Sequence, residues 1–182
     1  MRRTTALRRR GVSPRARKGF SLIEVAVSTA IIGLGVAALM VSVGSQTRVN
    51  GAGKKITQAA FLAQELREWT LRLPFSDPDP HDAGNPPGPD GTDPAYFVDD
   101  LDDLYGYNGA GVTYCPPRDG QGSSVADLTD WTEHISLQWV HEGDPSVVVE
   151  PGASRMVFVT LTVSHRTECV LTTGWLVTGG EQ

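Results

Sequence analysis

Lys18-Gly19-Phe20-Ser21-Leu22-Ile23-Glu24-Val25 puts a lone carboxylate at the start of a long apolar run. Ionisable groups are costly in a bilayer, roughly 2.5–3.5 kcal/mol at the centre of a spanning helix, and they mark functional positions by default. Glu24 therefore either snorkels to the interface without a task or meets a cation there. The remaining reactive side chains form weaker patterns. His81, His134, His141 and His165 share no metal-binding arrangement, because His134 and His141 are seven apart and face opposite sides of a regular strand. Ser123-Ser124 and the carboxylates have no nucleophile constellation around them, so the chain reads as a non-enzyme. Asp99-Asp100-Leu101-Asp102-Asp103 offers hard oxygen ligands of the kind calcium takes, although the spacing is not that of an EF-hand. A solvated acidic loop is the preferred reading, with calcium on Asp99, Asp100, Asp102 and Asp103 as the only cofactor retained for consideration.

The segment Gly19 to Val25 closely resembles the cleavage and methylation motif of type IV prepilins and type II secretion pseudopilins. The resemblance covers about Lys18 to Val43. It implies a cut between Gly19 and Phe20 on the cytoplasmic side, N-methylation of the new terminus at Phe20, and retention of the apolar segment. It also implies that Glu24 pairs with the terminal ammonium of a neighbouring subunit during assembly. Such a pair offsets the cost of burying either charge in an apolar filament core and helps set the register of subunits.

The flanking physics agrees. Eight of the sixteen basic residues, and none of the 21 acids, lie in residues 1–19. This block holds the amino terminus in the cytoplasm by the positive-inside rule. Val25 to Val43 is 19 residues without a charge, close to the ~20 that cross a bilayer core. A secretory signal would place its cleavage site after the apolar stretch, whereas here the processing site precedes it. Gly33 and Ala37 have the small-xxx-small spacing that lets helices approach in lipid. The segment lacks the proline usual in major pilins, which leans toward a minor pilin or a minor pseudopilin. From Phe20 onward the chain carries a formal −13, which argues against nucleic acid as a partner.

Five regions are expected. Residues 1–19 are a cleaved basic leader, 20–44 a transmembrane and assembly helix, and 45–73 its amphipathic continuation. Ile56, Ala60, Ala63, Leu66, Trp69 and Leu73 form the buried stripe of that continuation. Asn50-Gly51-Ala52-Gly53 is a place for it to bend, and Pro74 ends it. Residues 74–130 are an irregular acidic region rich in Pro and Gly. Residues 131–182 are an antiparallel sheet, with strands around Ile135–Trp139, Val157–Val163 and Val170–Val177, a short run at Val147–Val149, and a hairpin turn at His165-Arg166-Thr167-Glu168. The fold class is α+β, a pilin-like long helix packed on a sheet of three to four strands. Cys115 and Cys169 fall in the part expected outside the cytoplasm, where disulfides persist, and are expected to pair; a buried free thiol or no partnership are the alternatives.

The expected function is that of a structural filament subunit, a minor pilin or alternatively a minor pseudopilin. It would sit in the inner membrane as a single-pass protein, amino terminus cytoplasmic and globular domain periplasmic, before joining a filament. Its partners would be other pilins, the prepilin peptidase/N-methyltransferase and the inner-membrane assembly machinery. A signal-anchored calcium- or ligand-binding domain is the competing class.

Overall fold

The computed structural model describes residues 19–77, 79, 86–89 and 93–180. The expected leader, apart from Gly19, and part of the acidic region lie outside the described residues. The chain divides between Arg48 and Val49 into two compact units. Helix α1, Leu22–Thr70, contributes to both and is helical throughout, including residues 50–53, where a bend was expected. In the first unit its side chains are exposed. The exposed residues include Ile31, Leu34, Leu39 and Met40, and the segment is long and apolar enough to cross a membrane.

In the second unit α1 buries Ala59, Leu62, Ala63, Leu66, Trp69 and Thr70. This corrects the expected stripe. Ala63, Leu66 and Trp69 hold their places and Leu73 packs at the margin of the core, but Ile56 and Ala60 are exposed. Steps of three and four fit two adjacent rows of a helix equally well, and contact with the sheet selects the row that begins at Ala59. The helix ends at Thr70, with the Arg72 N–H still reaching the Trp69 carbonyl at 2.9 Å.

Among the described residues the sheet contains five strands, all antiparallel: β1 (Val112–Tyr114), β2 (Trp131–His141), β3 (Asp144–Val148), β4 (Met156–His165) and β5 (Glu168–Thr178). Their order is β1-β2-β4-β5, with β3 paired to the far end of β2 at Val140 and His141. Strand period places Trp131, Ile135, Leu137 and Trp139 of β2 on one face with Val157, Val159, Leu161 and Val163 of β4, and these form the core with the helix stripe. The expected hairpin is present as the two-residue link Arg166-Thr167 between β4 and β5, with Arg166 at φ 58° and bonded to Asp130 at 3.2 Å. Strand β1 lies in the region expected to be irregular. Three residues bounded by glycine are too short for a period of two to register.

The segment between β1 and β2 is tied down from two sides. Glu65 of α1 accepts from the Gly120 N–H at 2.7 Å, and Arg72 donates to the Gly120 carbonyl at 3.1 Å. From the sheet, Glu133 accepts from the Arg118 N–H at 2.8 Å, while the Arg118 guanidinium lies 4.8 Å from the centre of the Tyr114 ring.

Candidate functional site: the amino-terminal motif

Gly19 and Phe20 precede the first helical turn, and Phe20 is 81 % exposed. A side chain added at Gly19 would meet no atom within 4 Å. The Ser21 carbonyl starts the helix, accepting from the N–H groups of Glu24 at 3.0 Å and Val25 at 3.2 Å. The Gly19–Phe20 peptide bond thus lies in accessible, non-helical chain immediately before a continuous helix. Glu24 stands in the first turn, where the positive end of the helix dipole favours a carboxylate, about 6 Å along the axis from Phe20 at 1.5 Å per residue. Among the described residues no side chain pairs with it. Up to Arg48, α1 is thus an exposed apolar helix whose first turn carries a carboxylate that has no partner among the described residues.

The prokaryotic N-terminal methylation motif matches residues 14–40. No curated protein and no solved structure matches the chain. The motif and the long apolar helix mark a membrane-anchored protein similar to type IV pilins and pseudopilins, with an α+β fold of helix on antiparallel sheet.

The structure places the other predicted residues as follows. Asp99, Asp100, Asp102 and Asp103 come together, and the carboxylates of Asp100, Asp102 and Asp103 accept from backbone donors. Asp100 Oδ1 accepts from the N–H groups of Asp102 at 2.8 Å and Asp103 at 3.1 Å; Asp103 Oδ2 accepts from Asp99 at 3.1 Å, and Asp102 Oδ1 from Gly88 at 2.9 Å. Asp100 thus accepts from the first two N–H groups of the 3-10 turn at Asp102–Tyr105. Among the described residues no three His, Cys, Asp or Glu side chains are placed to hold a metal ion. Burial, followed by the charge of Asp102, pushes the Asp100 carboxyl up to about 7, and burial likewise raises Asp103 to about 6.

The expected intrachain pairing of Cys115 and Cys169 is not present: both thiols are free and exposed. Cys115 follows β1 and Cys169 lies in β5, with β2 and β4 between them. Three strand spacings amount to about 14 Å, twice the widest Cα separation a disulfide spans, about 7 Å.

Glu133 was not foreseen. It is fully buried, with Oε2 bonded to Arg118 and Oε1 without a protein partner. Burial pushes its carboxyl up to about 8 against the opposing pull of Arg118. The alternation Trp131, Glu133, Ile135, Leu137, Trp139 carries the signal that would have found it, since the period of two puts Glu133 on the core face.

Proposed function

We propose that this chain is a structural subunit of a type IV pilus-like filament, cut between Gly19 and Phe20, N-methylated at Phe20 and assembled through α1. The carrying observation is the methylation motif over residues 14–40, set on an accessible bond ahead of an exposed apolar helix. Glu24 receives the terminal ammonium of the adjoining subunit, a pairing supported by its first-turn position and its lack of a partner among the described residues. The partners are other pilins, the prepilin peptidase/N-methyltransferase and the inner-membrane assembly machinery. Before assembly the chain is single-pass in the inner membrane, with the second unit periplasmic. The absence of proline from the apolar segment favours a minor pilin. The role is structural, with no reaction and no cofactor.

Mass spectrometry of the amino terminus, on protein taken from its native membrane, tests this reading. A chain beginning at N-methylated Phe20 supports it; a chain retaining residues 1–19 in a peptidase-competent cell overturns it. Loss of twitching or adhesion in a deletion strain supports a pilus subunit, whereas intracellular retention of exoproteins assigns the chain to type II secretion as a minor pseudopilin.

A further inference from the structure

We propose that Glu133 is a proton-held latch: while neutral it keeps the surface segments 93–98 and 116–125 closed on the sheet, and their joint opening is coupled to the loss of its proton. The device lies within the second unit and is independent of the filament reading.

Glu133 stands in β2 between its cross-strand partners, Tyr114 of β1 and Val163 of β4, and is fully buried. Oε2 accepts from the Arg118 N–H at 2.8 Å, and Oε1 has no protein partner. The side chain of Arg118 carries the tie outward. Its guanidinium donates to the carbonyls of Gly122 and Ala95 and lies 4.8 Å from the centre of the Tyr114 ring. The Tyr114 hydroxyl in turn donates to the Pro94 carbonyl at 3.1 Å. One buried carboxyl is therefore the root of a branched set of hydrogen bonds that reaches two separate loops.

Each loop is closed on itself and so moves as a piece. Gly122 donates its N–H to the Asp119 carbonyl, and Val125 to the Pro117 carbonyl, both at 2.9 Å. The N–H groups of Tyr96 and Phe97 reach the Asp93 carbonyl at 2.8 and 3.2 Å. From α1, Glu65 and Arg72 grip Gly120, and these bonds set the cost of opening while Glu133 is neutral. The outer segment displays Tyr96 and Phe97, which are 82 % and 55 % exposed. The proton on one core residue thus governs how an exposed aromatic pair is held.

A buried carboxyl with an unpartnered oxygen is far less costly to hold neutral than ionised. Burial pushes Glu133 up to about 8, although the Arg118 N–H bond and guanidinium both favour the anion. Val163 brings no charge from β4. Asp103 of the 3-10 turn and Asp93 of the outer segment act, with Glu133, on Tyr114, whose phenol burial pushes upward and keeps neutral. The anion is relieved only when water reaches it. Strands β1 and β4 flank Glu133 with ladder hydrogen bonds, whereas the segment at Arg118 lies outside them. Displacing that segment breaks the fewest backbone bonds, and such elements open first.

The sign follows from linkage. The closed state keeps the proton up to about pH 8, while the hydrated carboxyl of the open state releases it near its ordinary value of 4.5. Between these limits opening sheds one proton, so its equilibrium constant rises about tenfold per pH unit and levels off above about pH 8.

Hydrogen exchange of the full chain in detergent, read by mass spectrometry at about pH 5.5, 6.5 and 7.5 and divided by the intrinsic rate at each pH, tests the latch. Opening at 93–98 and at 116–125 is expected to rise in step, about 100-fold over the two units. At every pH both segments should exchange faster than the paired centre of β2 and β4 around Leu137 and Val159. Glu133→Gln keeps an uncharged acceptor for the Arg118 N–H and should abolish the slope in both segments. A slope that survives in the variant assigns the effect to Asp100 or Asp103 and overturns the proposal. Should the variant fail to fold, the wild-type chain decides alone. Opening independent of pH, different slopes in the two segments, or segments no faster than the strand centre would each overturn the latch.

Discussion

Gly19 has open space around it, so a larger side chain there leaves the folded molecule unchanged and bears only on the processing proposed for the Gly19–Phe20 bond. Gly19→Val is expected to leave stability within about 0.5 kcal/mol of the parent while preventing removal of the leader. Thermal denaturation and intact-mass measurement check the two halves of that statement. Glu24 is the second residue whose contribution is not to the fold, since it has no partner among the described residues. Glu24→Ala is expected to leave membrane insertion intact, as alkali-resistant membrane association reports, and to remove the chain from sheared filaments. Normal incorporation of the alanine variant would eliminate the proposed ion pair as a determinant of register.

At the scale of elements, one helix serves two environments. Up to Arg48 it exposes apolar residues on every side, and from Ala59 it buries a single row against the sheet. Leu66 is fully buried in that row, whereas Phe61 in the adjacent turn is 65 % exposed. Leu66→Ala should therefore cost about 2–5 kcal/mol through lost burial and the cavity left behind, and Phe61→Ala less than about 0.5 kcal/mol. Denaturant unfolding of the full chain in detergent distinguishes them, and equal losses would show that the buried row has been misplaced. The helix and the longer strands were legible because their periods of 3.6 and two persist for many residues. The exact row of the helix was not, since Ile56 and Ala60 satisfy the same steps as Ala59 and Leu62.

For the molecule as a whole, three buried carboxyls share a sense of titration. Burial is the leading cause at each, pushing Asp103 up to about 6, Asp100 to about 7 and Glu133 to about 8. Each folded-state value exceeds its unfolded one, so the native protein holds more protons than the unfolded chain through this window. Stability is then fullest below the ordinary carboxyl range near pH 4 and declines as pH rises to about 8. The melting temperature of the second unit should fall between pH 5 and pH 8.5, opposite to the usual acid lability. Glu133→Gln should flatten that slope, raising stability at pH 8.5 relative to pH 5 by roughly 3 kcal/mol. An unchanged slope in the variant would move the pH dependence to the aspartates.

What the sequence determined by itself was local chemistry and period. The basic block, the Gly19–Phe20 junction, Glu24 and the charge-free run carry the methylation motif and a helix long and apolar enough to cross a membrane, without reference to any distant residue. Alternation over Ile135–Trp139 and Val157–Val163, and the run Val170–Val177, likewise point to β2, β4 and β5. Tertiary structure alone decided which residues from distant parts of the chain meet. It turned Asp100, Asp102 and Asp103 onto backbone donors, set Glu133 against Arg118, and placed Cys115 and Cys169 at opposite edges of the sheet. The physical reason is that strand order and register arise from the balance of burial over the whole sheet. Two cysteines 54 positions apart in the sequence carry no mark of whether two strands or none will separate them.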